Sequence, residues 1–222
     1  MPKYFVDEAL RLNEDTIFHL TKVLRVKVKD KIILCDGKAV DYHCVVESTK
    51  PLSLKVEKEE ESKTEPKCKI TLYQAMPKSD KMEWIIQKAV ELGVHRIVPV
   101  YTEHSVKKAA KADRYQKIAA SAAGQSMRGI IPHVHLPVLW EEAIKTAKED
   151  FMIAAHEKAA QPLTSNLPLE IGLWIGPEGG FSKKEAEIME SKKFNLISLG
   201  PRILRTETAA ISAIAQIMMV TG

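Results

Sequence analysis

The chain has 222 residues, of which 45% are hydrophobic and 28% charged, and a formal net charge of +4 at pH 7. This composition is typical of globular proteins and excludes a disordered or fibrous chain. No apolar run approaches the roughly 20 residues that a membrane span needs, and the first residues lack a signal-peptide pattern. The three cysteines have no metal-type spacing, so we expect reduced thiols in a cytoplasmic protein.

The first third of the sequence predicts short strands and one helix. The helix lies near Glu14–Arg25, where apolar residues recur at helical spacing. Two β-branched runs joined by Asp36-Gly37 predict a hairpin. The segment "LSLKVEK" alternates apolar and polar residues and predicts a half-buried strand. Together these patterns predict a small β-barrel domain over residues 1–67.

A charged segment, "VEKEEESKTEPK" at 56–67, ends in a proline and predicts the domain boundary. After it, apolar strands such as "KITLYQAM", "HRIVPV", "DFMIAA", "IGLWIG" and "FNLISLG" alternate with helical patterns. This alternation is typical of a mostly parallel sheet covered by helices on both faces. Residues 68–222 are therefore predicted to form an α/β domain.

Two local clusters of basic residues suggest a polyanionic partner. The first lies between His19 and Lys31 and contains Lys22, Arg25, Lys27, Lys29 and Lys31. The second lies between Tyr101 and Arg128 and contains Lys107, Lys108, Lys111, Arg114, Lys117 and Arg128. Charge alone is equally compatible with solvated surface lysines.

Two punctuated loops, "IGPEGGFS" at 175–182 and "LGPRILRTETA" at 199–209, each follow an apolar run. Ligands of α/β sheets bind at loops that leave the carboxyl ends of strands. Neither the phosphate-binding P-loop pattern nor the dinucleotide pattern G-x-G-x-x-G is present. The first loop alone is compatible with a tight turn before a helix, which Ser182 and Glu185 are predicted to cap as a capping box.

The second loop makes a binding site the better interpretation. Thr206 is placed to cap a final helix, "ETAAISAIAQIMMV", that is apolar nearly all round. Such a helix must be buried on most sides, so we expect it in the core and against a second subunit. Arg202 and Arg205 lie beside the positive end of this helix, where they do not serve stability, and we expect them to contact an anion or a nucleobase.

These loops, with "KMEWIIQKAVELGV", "GQSMR" and "HLTKVLRVKVKDKI", closely resemble the bacterial ribosomal RNA small-subunit methyltransferase E family over essentially the whole chain. The pair of loops is the most specific part of the resemblance. That family usually has Glu-Gln-Ser before the arginine, whereas this chain has Gly124 followed by Gln125 and Ser126.

The resemblance implies a SPOUT methyltransferase domain with a C-terminal trefoil knot and an N-terminal domain similar to PUA RNA-binding barrels. It implies S-adenosylmethionine as cofactor, bound in the knot with its adenine held by backbone groups of the loops. The residues implied for this pocket are Ala155, His156, Gly176, Pro177, Glu178, Gly179, Gly180, Leu199, Gly200, Ile203, Leu204 and Arg205. It further implies a homodimer that needs no metal and no membrane.

The implied reaction is methylation of N3 of a uridine in 16S rRNA, within the 30S subunit. The N3 proton must leave and the resulting charge must be stabilised, a task suited to Arg205 and Arg202, with Arg128 as the third candidate. Glu178 is either the base or a residue that caps its loop. The predicted RNA contacts are Lys22, Arg25, Lys27, Lys29, Lys31, Gln125, Ser126 and Arg128.

Other conspicuous residues have simpler interpretations. His133 and His135 share a strand face but lack a third ligand, so we predict no metal site. Trp84, Trp140 and Trp174 are interpreted as core residues. Two alternatives to the implied function stay open: an RNA-binding or assembly protein without catalysis, and a SPOUT enzyme that acts on transfer RNA.

Overall fold

The structure is a computed structural model that describes residues 1–7, 9–78, 80–106 and 111–221. Lys107 and Lys108 of the second basic cluster lie outside the described residues. The chain forms two compact units, one of Met1–Glu65 and Ala120–Ile131, the other of Pro66–Ala119 and Pro132–Gly222. The first break lies close to the boundary predicted at residue 67, whereas nothing in the sequence pattern predicts that 120–131 belongs to the first unit.

The first unit is built on a four-stranded sheet. Its elements are β1 (Lys3–Phe5), α1 (Glu14–Phe18), a π-helical turn (His19–Val23), β2 (Lys31–Cys35), β3 (Val40–Thr49) and β4 (Leu52–Glu61). The strand order is β1-β2-β3-β4, with β1 parallel to β2 and the other pairs antiparallel. The predicted helix and hairpin are both present, and the Asp36 carboxylate accepts the main-chain N–H groups of Lys38 and Val40 at the turn. Closure of this sheet into a barrel stays a prediction.

The charged segment 56–67 contains the break between the two units, and its first half also belongs to a strand. Residues Val56–Glu61 continue β4 and pair with β3. Since β4 is the last strand in the sheet order and these residues are mostly exposed, their charged side chains remain in water. Charged side chains are common on such edge strands, and they do not prevent β4 from pairing with β3 along its inner edge.

The second unit is the predicted α/β sheet. Its strands are β5 (Lys69–Ala75), β6 (Arg96–Tyr101), β7 (His133–Val134), β8 (Val138–Leu139), β9 (Phe151–Ala155), β10 (Glu170–Ile175) and β11 (Asn195–Ile197). Its helices are α2 (Lys81–Glu91), α3 (Ala112–Gln125, which ends in the first unit), α4 (Trp140–Thr146), α5 (Lys183–Ser191) and α6 (Thr206–Thr221). The order is β11-β9-β10-β5-β6-β7, with β8 also on β6, and every pair is parallel.

Aromatic side chains form part of the core of this unit. Trp174 stacks on Tyr73 at 4.1 Å between ring centroids and meets Trp140 edge-on at 5.3 Å. Trp140 and Trp174 are therefore core residues, as predicted. Trp84 is 45% exposed, so that prediction is wrong. The buried face of α2 consists of Met82, Ile85, Ile86, Ala89 and Val90, and Trp84 lies outside this helical stripe.

Helix α6 buries Ala210, Ala213, Ile214 and Ile217 on one side, whereas Met219 is 86% exposed. In the part of the chain that the structure describes, no helix is long and apolar enough to cross a membrane.

Candidate functional site

A cleft of about 790 Å³, partly open to solvent, lies where the loops after β9, β10 and β11 meet. These three strands are neighbours in the sheet, so their carboxyl ends bring the loops together. The lining residues are Ala155, His156, Glu157, Ile175, Gly176, Pro177, Glu178, Gly179, Gly180, Phe181, Ser198, Leu199, Gly200, Arg202, Ile203, Leu204, Thr206 and Ala209. Every residue of the predicted cofactor set except Arg205 is among them.

The loop after β10 is a tight turn that requires glycine. The Gly180 N–H donates to the Pro177 carbonyl at 2.9 Å, and Gly180 has a φ of +68°, a conformation that side-chain-bearing residues rarely adopt. A Cβ at Gly176 would lie 3.3 Å from the Gly180 backbone. Ser182 and Glu185 form the predicted capping box at the start of α5. The loop therefore presents its main chain, not side chains, to much of the cleft.

The loop after β11 presents main-chain groups as well. Gly200 has a φ of +104°, and its N–H donates to the Ser198 hydroxyl at 3.3 Å. Among the described residues, no hydrogen bond partner is seen for the main-chain N–H groups of Leu199, Ile203 and Leu204. Since main-chain polar groups are normally paired, these groups are available to a ligand. The Ile203 side chain is 89% exposed.

Thr206 does not cap its own helix, contrary to the prediction. Arg205 occupies the N-cap position, because its carbonyl accepts the Ala209 N–H at 2.8 Å. The buried Thr206 hydroxyl accepts the Gln74 amide at 3.0 Å and donates to the Gly176 carbonyl at 2.6 Å. It is used to connect α6 to the end of β5 and to the glycine loop.

The Glu178 carboxylate is held by the start of α2 and the loop before it. The Lys78 N–H donates to both carboxylate oxygens at 3.1 Å, and the Lys81 ammonium lies 3.4 Å from one of them. Burial alone would raise the pKa of Glu178, but these donors outweigh it and leave that pKa below its usual value. A carboxylate stabilised in its charged form is a weak base, so the contacts favour the loop-holding alternative.

Arg202 and Arg205 are both exposed, and no ion pair is seen for either within the described ranges. Arg202 lines the cleft, whereas Arg205 does not. His156 lines it too; its ring Nδ1 accepts the Lys158 N–H at 3.2 Å. The cleft thus has one exposed guanidinium on its lining and a second at the adjoining helix start.

Arg128 belongs to the first unit, where its guanidinium is buried. It contacts the Glu65 carboxylate through two nitrogens, at 2.6 and 3.2 Å, and Glu65 also accepts the N–H groups of Gly129 and Ile130. Burial raises the pKa of Glu65, but Arg128 and these N–H groups together leave it below its usual value. With an exposure of 3%, Arg128 has the environment of a structural residue.

The remaining residues of "GQSMR" lie in the same unit. Lys3, whose side chain is fully buried, pairs with Asp41 at 2.7 Å and donates to the carbonyls of Met127 and Arg128. The Ser126 hydroxyl donates to the Ala122 carbonyl at 2.7 Å, and Gln125 is exposed. A Cβ at Gly124 would lie 3.2 Å from the Lys3 carbonyl, so a larger residue would be crowded here.

The first basic cluster is exposed and uncompensated. Within the described ranges none of its five cations has an ion pair with a carboxylate: Lys22, Arg25, Lys27, Lys29 and Lys31. In the second cluster, Arg114 pairs with Glu83 at 2.6 Å and Lys111 lies 3.9 Å from Asp80. The first cluster is therefore the stronger candidate for a polyanion.

Two residues near the cleft were missed in the sequence, Lys81 and Gln74. Each contacts residues that are far away in the sequence, and no local sequence pattern predicts such contacts. Glu207 lies within the conspicuous "RTETA" stretch, but nothing in that stretch predicts its ion pair with Lys81 at 3.1 Å.

The rings of His133 and His135 meet edge-on, with 4.4 Å between their centroids. The described residues contain no group of three or more His, Cys, Asp or Glu suited to a metal.

Residues 64–218 match the model of the RNA methyltransferase domain family, and residues 12–59 match that of the RNA methyltransferase PUA domain. The chain is 33% identical to ribosomal RNA small subunit methyltransferase E of Bacillus subtilis, over 98% of this chain and 93% of that protein. The Aquifex aeolicus protein of the same name is also 33% identical, with coverages of 94% and 93%.

A crystal structure of ribosomal RNA small subunit methyltransferase E from Neisseria gonorrhoeae, bound to S-adenosyl methionine, is similar with a TM-score of 0.91. The identity is 31%, and the match covers 99% of this chain and 98% of that one. This chain therefore belongs to the ribosomal RNA small subunit methyltransferase E family.

Proposed function

We propose that this protein transfers the methyl group of S-adenosylmethionine to N3 of a specific uridine in 16S rRNA, within the 30S subunit in the cytoplasm. The observation that carries the proposal is the cleft at the carboxyl ends of β9, β10 and β11, lined by glycine turns and unpaired main-chain groups. Family membership supplies the reaction class, and the S-adenosyl methionine bound to the Neisseria relative supplies the donor.

The lining of the cleft fits that donor in its chemistry. The main-chain N–H groups of Leu199, Ile203 and Leu204, for which the described residues provide no partner, suit the ring nitrogens of adenine, and the apolar side chains of this loop suit its faces. When bound, S-adenosylmethionine supplies an electrophilic methyl group on its sulfonium.

The residues of this chain must then prepare the nucleophile. Uracil N3 carries a proton and becomes reactive once that proton leaves, so negative charge develops on the ring. Arg205 and Arg202 are the proposed catalytic residues that stabilise this charge, because a guanidinium remains protonated and offers a planar pair of donors. Exposed and without a carboxylate partner in the described structure, both are able to contact an incoming base.

The roles of Glu178 and Arg128 are proposed differently from those of the two loop arginines. The donors around Glu178 support a role in holding the glycine loop. The buried pair with Glu65 supports a structural role for Arg128. Neither residue moves a proton in the proposed reaction.

The finer features of the architecture belong to the same proposal. We propose that the C-terminal segment forms the trefoil knot and that the sheet of the first unit belongs to a PUA-like barrel. RNA is held by the phosphate contacts of Lys22, Arg25, Lys27, Lys29 and Lys31. Gln125 and Ser126, in the segment 120–131 of the same unit, are the other proposed contacts. The enzyme needs neither a metal nor a membrane.

We also propose a homodimer with α6 in its interface. Ile214 of this helix is fully buried in this chain, so a charge there would disrupt the core. Met219, 86% exposed on the same helix, is the better position to test. A Met219→Asp variant should sediment as a monomer with reduced activity, and a fully active monomer would contradict the dimer.

The test of the function is transfer of labelled methyl from S-adenosylmethionine to 30S subunits, free 16S rRNA and transfer RNA, followed by nucleoside identification. We expect label in 3-methyluridine of 16S rRNA, greatest with 30S subunits. Label in transfer RNA would favour the alternative SPOUT activity. RNA binding without any label and without donor binding would favour a non-catalytic assembly protein.

A further inference from the structure

Lys81, the first residue of α2, lies between two carboxylates that come from different parts of the cleft. Its ammonium is 3.4 Å from Glu178, in the glycine loop after β10, and 3.1 Å from Glu207, in the first turn of α6. All three side chains are partly buried, with side-chain exposures of 29%, 24% and 16% for Lys81, Glu178 and Glu207. Their mutual attraction is therefore screened less by water than that of a surface pair.

The glycine loop after β10 and the start of α6 are also connected deeper in the unit. Gln74, fully buried at the end of β5, donates to the Thr206 hydroxyl, which in turn donates to the Gly176 carbonyl. The buried chain of hydrogen bonds and the Lys81 bridge thus connect the same glycine loop to the same helix start. Glu207 lies two residues after the end of the loop 199–205, so the bridge acts on both loops of the cleft.

The charge of Lys81 is what makes the arrangement stable. Without it, the carboxylates of Glu178 and Glu207 would face each other with no cation between them, and like charges at such a distance repel. The Lys78 N–H would still hold Glu178, but nothing in the described residues would offset the repulsion from Glu207. The expected response is separation of the glycine loop from the start of α6.

We propose that Lys81 is a positioning residue for the methyl-donor pocket, which acts by holding the loop Gly176–Gly180 at its working distance from the start of α6. This inference rests on the proposed binding of S-adenosylmethionine in the cleft. Lys81 itself does not line the cleft, so it contributes through Glu178 and Glu207.

The experiment measures the dissociation constant for S-adenosylmethionine by calorimetry, together with amide hydrogen exchange of the free protein. Lys81→Met should weaken donor binding about tenfold, as expected when a coupled interaction next to a site is lost. Lys81→Arg keeps the cation between both carboxylates and should bind within about twofold of wild type. Lys88→Met is the matched control, since Lys88 lies on the same helix and, within the described ranges, forms an ion pair only with its helix neighbour Glu91, at 2.8 Å.

A second variant separates charge repulsion from simple loss of packing. In Lys81→Met with Glu207→Gln the facing charge is gone, so donor affinity should recover in part relative to Lys81→Met alone. Exchange in Lys81→Met should accelerate at residues 176–181 and 199–205 and remain unchanged in β5 and β6. Equal loss of affinity in the single and double variants would show that positioning by charge is not the cause and would overturn the proposal.

Wild-type affinity in Lys81→Met, or unchanged exchange in both loops, would also overturn it. The hydrogen-exchange measurement requires no ligand, so it tests the positioning role even if the wild-type protein binds no S-adenosylmethionine. Failure of wild-type binding would instead contradict the proposed function. The two failures are therefore distinguishable.

Discussion

The arginines of the two units differ in whether a carboxylate of the protein pairs with them. Arg128 lies in the first unit, and Arg202 and Arg205 lie in the second. Arg128 is 3% exposed and held by Glu65 through two nitrogens, whereas Arg202 and Arg205 are exposed beside or on the cleft. Motif resemblance treats the three as one set of catalytic candidates. An arginine with a buried, hydrogen-bonded carboxylate has its charge already compensated, so the comparison separates structural from substrate-directed arginines.

The largest effect is expected from Arg128→Ala. Removing one member of a buried ion pair leaves Glu65 desolvated without its cation, which costs about 3–5 kcal/mol of unfolding free energy. Urea denaturation followed by circular dichroism measures it. Arg202→Ala, in an exposed loop, is the control and should change stability by no more than about 0.5 kcal/mol. Equal stability of Arg128→Ala and wild type would remove the basis of the comparison.

Arg205→Lys should affect the reaction and leave the fold intact. Lysine keeps the charge but loses the planar pair of donors, so kcat should fall while the affinity for S-adenosylmethionine stays near wild type. Loss of a preorganised donor at a developing charge is worth on the order of 2–4 kcal/mol of barrier. Single-turnover methylation of 30S subunits provides the measurement. A normal rate would rule out Arg205 as the stabilising group, and a defect confined to RNA affinity would make it a substrate-positioning residue.

Gly180→Val tests whether the cleft itself depends on its main-chain geometry. Apart from Gly180 and its two chain neighbours, no heavy atom of the described residues lies within 4 Å of a Cβ built at Gly180, so the cost comes from its φ of +68° and not from a clash. A β-branched residue there is strained by about 1–3 kcal/mol, and the turn should relax to another shape. Calorimetry should show donor binding abolished, with an unchanged far-UV circular dichroism spectrum. An unchanged affinity for S-adenosylmethionine would show that the donor binds elsewhere.

Glu65 gives the first unit a predicted pH dependence. Its pKa is lower in the folded state than in the unfolded chain, so its stabilising contribution is complete above the unfolded pKa and is lost as pH falls through the folded pKa. Between pH 7 and pH 3, the unfolding free energy of Glu65→Gln should therefore fall less than that of wild type. Glu170→Gln, which removes a surface pair with Lys69 at 3.7 Å, serves as the control and should follow wild type. Parallel curves for wild type and Glu65→Gln would contradict the assignment.

The smallest individual effects are expected in the exposed basic cluster of the first unit. Loss of one lysine among Lys22, Lys27, Lys29 and Lys31 should weaken RNA binding similarly for different sequences. If that lysine contacts a phosphate, the salt dependence of the binding constant should decrease by about one unit. Lys183→Ala is a suitable control, because Lys183 is an exposed lysine of the second unit on α5. Wild-type slopes in every variant would show that the cluster is only a solvated surface.

Local patterns in the sequence were sufficient for much of this architecture. The Asp36-Gly37 hairpin, the parallel strands, the Ser182–Glu185 capping box and the two glycine loops each depend on residues close together in the chain. Two local predictions were wrong for physical reasons. Trp84 lies outside the apolar stripe of its helix. Thr206 lies one residue past the N-cap position, and its buried hydroxyl is bonded to Gln74 and Gly176.

Sequence alone determined the class of the protein, because spacing, glycine turns and motif residues are properties of short segments. Tertiary structure decided which charged residues have partners. Glu65 meets Arg128, and Lys81 meets Glu178 and Glu207, only after distant segments have packed together. The electrostatic state of a side chain depends on burial and on neighbours within a few ångströms, and no local pattern specifies either of these.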